Sequence, residues 1–292
     1  MKVLVYGSNG WIGQQFIDLL THHNIDFIKG ISRVNNLEEV KQELINASPT
    51  HVISFIGRTH GTIDDKIYTT IDYLEEKGKL YENIRDNLYS PFMLSVICKE
   101  LNIHYTYLGT GCIFKYDEYH LCEETNGFSE KSEPNFFGSA YSIVKGFTDK
   151  IMRELFQQNT LNLRIRMPIT DNRNSRNFIT KITTYEKICS IPNSMTVLPE
   201  LLPKVIEMMK QNITGTINLT NPGLISHNKI LEMYKEIVDP TFVWTNFTEE
   251  EQKQVINSER SNNYLDTSKL EYLFPDVMSI KDAVRHCLNQ YK

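Results

Sequence analysis

The opening of the chain constrains its fold more than any other stretch. Lys2–Tyr6 is a short run of β-branched and apolar residues, the pattern of a buried strand. It runs directly into Gly7-Ser8-Asn9-Gly10-Trp11-Ile12-Gly13, followed by the amphipathic Gln14–Leu20. A strand, a Gly-x-x-Gly-x-x-Gly turn and a helix, in that order, form the first unit of a nucleotide-binding α/β sheet. Gly7 permits the tight turn, Gly10 lets the backbone approach a pyrophosphate, and Gly13 lets the helix pack against the strand. The amides at the helix start then face phosphate. The spacing differs from the commoner Gly-x-Gly-x-x-Gly, and an ordinary glycine turn is the plainer reading. Its position after a clean strand favours the nucleotide site.

The pattern continues as strands alternating with helices. Asp26–Ser32 reads as the second strand. The acidic residue that holds ribose hydroxyls in NAD-binding folds is missing from Gly30-Ile31-Ser32-Arg33. Ser32 and Arg33 suit a 2′-phosphate instead, which favours NADPH over NADH. Leu37–Asn46 has helical period, and His51–Ile56 is a third buried strand leading into Gly57-Arg58-Thr59-His60-Gly61. Doubly wound sheets place ligands at such loops, beyond the carboxyl ends of their strands. Thr62–Lys79 reads as a mobile or substrate-facing insertion, Leu80–Leu101 as one long helix carrying Asn87, and Ile103–Leu108 as the next strand.

That strand ends in Gly109-Thr110-Gly111-Cys112-Ile113-Phe114. Thr110 is placed to hydrogen-bond a substrate carbonyl. The Cys112 thiol can act as a base if a nearby cation or dipole lowers its pKa from about 8.5; a small buried apolar residue is the plainer reading. A helical pattern from Tyr141 to Gln157 opens with Tyr141-Ser-Ile-Val-Lys145. This spacing puts a phenol and an ammonium on one helical face. A phenol so placed favours its ionised form and can pass a proton to a carbonyl oxygen as hydride reaches the carbon. Tyrosine and lysine meet at this spacing in many helices, so the pair gains meaning only from its surroundings.

Composition narrows the class. At 292 residues the chain has room for a large core, and its 40% hydrophobic and 23% charged content is that of a globular protein. A net charge of −5 argues against nucleic acid as the main partner. No apolar run approaches the ~20 residues of a membrane span, and Met1-Lys2-Val3-Leu4-Val5 lacks the layout of a secretory signal, so a cytoplasmic protein is expected. Five cysteines without paired spacing point to free thiols and to no metal site.

The second half is less regular. Leu161–Met167 is a buried strand, and Met167-Pro168-Ile169 turns the chain across the expected cofactor. Asp171–Asn177 is an irregular crossover, and Phe178–Ile188 a helical pattern carrying Lys181. Further helices are expected at Pro199–Lys210, at Ser226–Val238 behind a capping serine, from Thr248 as a short acidic helix, and at Asp266–Leu273 and Ser279–Gln290. Thr216–Thr220 reads as a strand. The fold class is therefore α/β: a Rossmann-type doubly wound parallel sheet with a smaller C-terminal substrate-binding lobe. The expected division is residues 1–167 for NADP and 168–292 for the substrate, with some chain crossing and the substrate held between them.

Gly7-x-x-Gly10-x-x-Gly13, Thr110 and Tyr141-x-x-x-Lys145 together resemble the extended short-chain dehydrogenase/reductase family. Thr110–Phe114, Pro134-Asn135-Phe136, Arg164–Ile169, Arg176–Thr183, Ile191–Thr196, Thr220–Gly223 and Arg260–Asn263 resemble one subgroup. That subgroup is the UDP-4-keto-6-deoxy-glucose 3,5-epimerase/4-reductases of UDP-L-rhamnose synthesis, which in plants also occur fused behind a dehydratase. The resemblance spans nearly the whole chain. It implies that Gly7, Ser8, Asn9, Gly10, Trp11, Ile12 and Gly13 bind the pyrophosphate of NADPH, with NADH as the lesser alternative. Ser32 and Arg33 then lie at the adenosine ribose, and Gly57, Thr59, Asn87 and Pro168 toward the nicotinamide half.

Thr110, Tyr141 and Lys145 form the implied reductase triad, its tyrosine and lysine also touching the cofactor. Cys112 matches the epimerisation base of the related GDP-fucose synthases. Their partner acid is a histidine, absent from the matching block here, where Lys181 is the best-placed ionisable residue. Gly111 replaces a hydroxyl residue and leaves room near the sugar. Asn135, Asn177, Asn193, Arg260 and Asn263 are implied to touch the substrate, with Arg260 suited to a bidentate diphosphate contact. An upstream 4,6-dehydratase would supply the UDP-sugar, and a homodimer is the assembly usual for the family. A dTDP-4-keto-rhamnose reductase without epimerase activity, or a non-catalytic dinucleotide-binding regulator, are the alternatives.

Overall fold

The computed structural model describes residues 1–248, 251 and 260–291. The acidic helix expected from Thr248 falls mostly outside them. The chain divides into two compact units: Met1–Thr110, Ser139–Arg164 and Pro203–Ile217 form the first, and Gly111–Gly138, Ile165–Leu202 and Asn218–Lys292 the second. The chain thus passes between units at 110/111, 138/139, 164/165, 202/203 and 217/218, and residue 167 lies near one of these passages.

The first unit carries a six-stranded sheet built from β1 (Lys2–Tyr6), β2 (Asp26–Lys29), β3 (His51–Ser54), β6 (His104–Thr110), β7 (Thr160–Ile165) and β8 (Gly215–Asn218), in the order β2-β1-β3-β6-β7-β8. β1 pairs in parallel with both β2 and β3, and β3 with β6. Val3, Leu4 and Val5 are fully buried, as are Val52 and Ile53, which is why these runs are apolar without alternation. The order reverses beside β1, between β1 and β3. The first helix, α1 (Trp11–His22), buries Phe16, Ile17 and Leu20.

One expectation gains detail here and another fails, each for local reasons. The insertion after β3 folds into a hairpin, β4 (Gly61–Ile63) and β5 (Lys66–Tyr68), followed by a 3₁₀ turn at Ile71–Glu75. Tyr73 and Leu74 in that turn are buried, and the Tyr73 hydroxyl donates to Glu82. The long helix is also interrupted. α3 (Leu80–Ile84) and α4 (Ser90–Glu100) flank a π-helical turn at Arg85–Tyr89. Pro91 has no N–H for the carbonyl of Asn87. The Thr148 hydroxyl donates to that carbonyl instead, at 2.6 Å, and the wider turn redirects Asn87.

A buried ion pair joins β7 to the helix that precedes it. Arg164 of β7 donates through Nε and Nη2 to the two carboxylate oxygens of Asp149, at 2.8 and 2.7 Å. Arg164 is fully buried and Asp149 nearly so. Removing one partner leaves a buried charge uncompensated, so Asp149→Ala should destabilise the protein by ~3–5 kcal/mol. Thermal denaturation should show a melting temperature lower by roughly 10 °C; an unchanged midpoint would mean the pair contributes nothing.

The second unit has its own apolar core. Ile169, Ile179, Met195, Ile225, Leu231 and Val284 belong to one buried cluster. It joins α6 (Phe178–Ile182), α8 (His227–Ile237, capped by Ser226) and α10 (Ile280–Asn289, capped by Ser279). α6 ends well before the expected Ile188. A smaller cluster stacks Phe114 on Phe128, with ring centroids 4.5 Å apart, beside Ile113 and Leu265. α7 (Leu198–Lys210) carries the chain from the second unit into the first, and α9 (Ser268–Leu273) lies near the C-terminal end.

Candidate active site

In the first unit the loop after β1 meets the segment after β3. Gly7 has φ +72°, and a Cβ there would lie 2.8 Å from the Phe55 carbonyl carbon. A Cβ on Gly13 would lie 2.3 Å from the Gly7 oxygen. Only glycine fits either position, the first for its backbone angle and the second for close packing. α1 starts at Gly10 with no side-chain cap and no acidic residue in its first turn. A glycine-lined turn delivering an uncapped helix start at the point of strand reversal suits a dinucleotide pyrophosphate. Ser8 is buried in this turn, and Asn9, Trp11 and Ile12 continue it.

β2 ends at Lys29, three residues earlier than expected. Glu43 explains the shortening. Its carboxylate accepts from the amides of Ile31 at 2.7 Å and Ser32 at 3.2 Å, and from the Tyr6 hydroxyl at 2.8 Å. Burial alone would raise its pKa, but these bonds and one from the Ser32 hydroxyl leave it below the usual range. The sequence reading missed this carboxylate because it reaches back from α2 (Leu37–Ala47). Ser32 is thereby held by Glu43. Arg33 remains exposed in a groove of about 770 Å³ that Ile31, Leu37 and Tyr89 also line.

Asn87 grips the loop after β3. Its amide oxygen accepts from the Arg58 amide, and its amide nitrogen donates to the Arg58 carbonyl, both at 2.9 Å. A Cβ on Gly57 would meet the same oxygen at 3.3 Å. Asn87 is 1% exposed. Its effect on Gly57 and Thr59 is to fix their backbone.

Thr110 ends β6 and is buried. Ser139 caps α5 (Ala140–Leu155) by accepting from the Ser142 amide at 3.1 Å, which starts the helix just ahead of Tyr141. Tyr141 and Lys145 are both buried, at 8% and 4% exposure. The Lys145 ammonium donates to the hydroxyl of Tyr107 and sits 4.6 Å from that ring's centroid. Burial holds the Tyr107 phenol well above its ordinary pKa, and the nearby Tyr105, Tyr141 and Asp149 push the same way. Tyr107 is a second residue that sequence reasoning missed, bonded directly to Lys145. The available signal was its place in β6, three residues before Thr110, with Tyr105 alternating onto the same face.

In the second unit Cys112 is half-buried, and the Gly111 amide donates to the Ile165 carbonyl at 2.9 Å. Lys181 lies in the last turn of α6, with its pKa lowered by burial and then by the charge of Arg176. An ammonium so placed gives up its proton more readily than an ordinary lysine. Met167 has φ +38°, an unusual angle for a residue with a side chain, and the Pro168 carbonyl accepts from the Phe178 amide. Arg260 is exposed, and its charge helps burial to push His227 down to about 4.

The four asparagines implied as substrate contacts are engaged within their own unit. Asn177 caps α6 and bonds the backbone of Thr170 and Asn172. Asn193 accepts from Arg166 and the Asn263 amide, and donates to Ile191 and Asn262. Asn135 ties Lys115 to Asp117. The Asn263 amide nitrogen donates to the carbonyls of Gly111 and Phe114 at 3.0 and 2.9 Å. Asn177, Asn193 and Asn263 are fully buried. These side chains hold the loops in shape. The sequence pattern gives residue type but not whether an amide turns inward.

Among the described residues no cluster of His, Cys, Asp and Glu has the arrangement to hold a metal ion, and no helix is long and apolar enough to cross a membrane. No protein-family model matches the chain. A bifunctional dTDP-4-dehydrorhamnose 3,5-epimerase/dTDP-4-dehydrorhamnose reductase of Arabidopsis thaliana is 43% identical over 96% of this chain and 90% of its own length. A trifunctional UDP-glucose 4,6-dehydratase/UDP-4-keto-6-deoxy-D-glucose 3,5-epimerase/UDP-4-keto-L-rhamnose-reductase of the same plant is 43% identical over 97% of this chain and 41% of its own length. The crystal structure of a UDP-rhamnose synthase from Acanthamoeba polyphaga mimivirus is 48% identical over 99% of both chains, with a TM-score of 0.93.

Proposed function

This chain belongs to the family of bifunctional nucleotide-sugar 3,5-epimerase/4-reductases, and we propose that it converts UDP-4-keto-6-deoxy-D-glucose to UDP-L-rhamnose with NADPH as reductant. The observation that carries this reading is the end of β6. It delivers Thr110 for ketone chemistry and, two residues on, Cys112 for chemistry at the carbons beside the ketone. Near-half identity to a UDP-rhamnose synthase along the full chain supports the same assignment.

The Gly7–Gly13 turn would hold the cofactor pyrophosphate, Arg33 the 2′-phosphate, and the Gly57–Thr59 loop clasped by Asn87 the nicotinamide half. When bound, the cofactor supplies hydride to C4. The residues of the chain supply the rest. The C4 carbonyl acidifies the protons at C3 and C5. Cys112, as thiolate, takes each in turn: the C–H bond breaks, an S–H bond forms, and the electron pair moves to the carbonyl oxygen. Thr110 and Tyr141 hydrogen-bond that oxygen and stabilise the enolate. Lys181 returns a proton to the opposite face, inverting the centre, and its lowered pKa suits it to this. Tyr141 then protonates the C4 oxygen during reduction. Lys145 holds positive charge at the base of the site through Tyr107.

The nucleotide base has two readings, because the mimivirus relative is a UDP enzyme and the bifunctional plant relative carries dTDP in its name. The test offers the protein UDP- or dTDP-linked 4-keto-6-deoxyglucose with NADPH or NADH and identifies the sugar by NMR. UDP-L-rhamnose, formed faster with NADPH, is expected. A 6-deoxy-D-sugar would discard the epimerase half, and no turnover of either nucleotide would discard the assignment. The relative fused to a 4,6-dehydratase suggests where the keto-sugar comes from.

A further inference from the structure

Arg164 and Arg166 stand two residues apart, and each is almost wholly buried, but among the described residues only Arg164 has a counter-ion. All five N–H donors of Arg166 go to neutral oxygens. Nε donates to the Ser194 carbonyl at 3.3 Å. Nη1 donates to the Gly111 carbonyl and the Ser261 hydroxyl, both at 3.0 Å. Nη2 donates to the Asn193 amide oxygen at 2.7 Å and the Ser261 carbonyl at 2.8 Å. No carboxylate among the described residues pairs with it. A charge buried without a counter-ion is costly, and this one is 1% exposed, too deep to meet a ligand directly.

Burial lowers the Arg166 pKa, and among the described residues Cys112 and Tyr116, of the same unit, act against that lowering. Tyr116 supplies no anion. Its hydroxyl donates to the Pro192 carbonyl at 2.9 Å, and burial keeps the phenol protonated. Cys112 remains. The carbonyl that Arg166 grips at Gly111 belongs to the peptide that carries the Cys112 nitrogen. A Cβ on Gly111 would lie 3.0 Å from the Arg166 side-chain stem and 2.7 Å from Leu265, so the glycine is what lets that stem pack against this peptide and its guanidinium reach the Gly111 carbonyl.

We propose that Arg166 is the positioning residue of the epimerase base: its buried charge stabilises a negative sulfur at Cys112, and its bond to Gly111 fixes the peptide that carries the thiol. The inference rests on Cys112 acting as the base. Sulfur and guanidinium then form the ion pair that no described carboxylate offers Arg166, and the pair dissolves and reforms as Cys112 takes up and releases each sugar proton.

The test compares Arg166→Met and Arg166→Lys in the full chain. Both lose the five-donor fork, and only lysine keeps the charge. Alkylation of Cys112 by iodoacetamide at one neutral pH, followed by mass spectrometry, reads the thiolate directly. Arg166→Met should slow it on the order of tenfold or more, a Coulomb effect expected at short range in a protein interior. Deuterium exchange at C3 and C5 should fall in parallel, while reduction of an already epimerised ketone stays at the wild-type level. Arg166→Lys should restore most of the alkylation rate. Equal loss in both variants, or no loss in either, overturns the proposal.

If neither variant folds, the ultraviolet thiolate absorbance removed by Cys112→Ser from the folded protein decides. Absorbance above the few per cent of thiolate in an ordinary cysteine supports the proposal, and no excess overturns it. If Cys112→Ala keeps its exchange while Arg166→Met slows alkylation, the base assignment fails and the charge effect stands.

Discussion

Cys112→Ala should abolish solvent deuterium incorporation at C3 and C5 of the keto-sugar. A general base contributes about 10²- to 10⁴-fold to a proton transfer, so exchange should fall at least a hundredfold. Cys112 is half-buried, and alanine removes only the sulfur, so the fold should survive. Thr110, Tyr141 and Lys145 remain in place, and reduction of an already epimerised 4-keto-L-sugar should continue. The measurement is proton NMR in deuterated water without reductant, followed by NADPH oxidation with the epimerised ketone. Undiminished exchange would remove the cysteine from the mechanism. Loss of both activities would indicate a damaged fold.

Tyr141→Phe should produce the opposite separation. Reduction needs a proton at the C4 oxygen, and loss of its donor should lower NADPH oxidation about 10²- to 10⁴-fold. Exchange should persist, because Thr110 still hydrogen-bonds the enolate oxygen and Cys112 is unchanged. One lost hydrogen bond to a developing charge costs about 1.5–3 kcal/mol, so a partial slowing of exchange is expected. A normal rate of NADPH oxidation would discard the triad assignment. Tyr107 qualifies the interpretation of any Lys145 variant. Removing the ammonium leaves the buried Tyr107 hydroxyl without its donor, so such a variant reports on packing as well as chemistry.

Much of the first unit was readable along the chain because its signals are local. The apolar runs at β1, β3 and β6 mark strands buried on both faces, and Gly7 and Gly13 occupy positions that no side chain could share. The capping Ser139 starts the helix that carries Tyr141 and Lys145. The long helix failed because Pro91 acts through a carbonyl four residues back, whose replacement partner, Thr148, lies on another helix. The engagement of the asparagines was hidden for a related reason. An amide in a polar loop looks alike whether it faces a ligand or, as with Asn177 and Asn193, four groups of its own backbone and side chains.

The amino-acid order by itself determined the βα glycine unit, the succession of buried strands and the placing of a phenol, an ammonium and a thiol near strand and helix ends. Each follows from periodicity, glycine sterics or spacing within one or two turns. Tertiary structure alone decided which charges have partners. Arg164 and Arg166 are indistinguishable in the chain, yet one meets Asp149 and the other a ring of neutral oxygens from Gly111, Asn193, Ser194 and Ser261. Those partners lie as far as 95 residues away in sequence, and only folding brings them within hydrogen-bond distance.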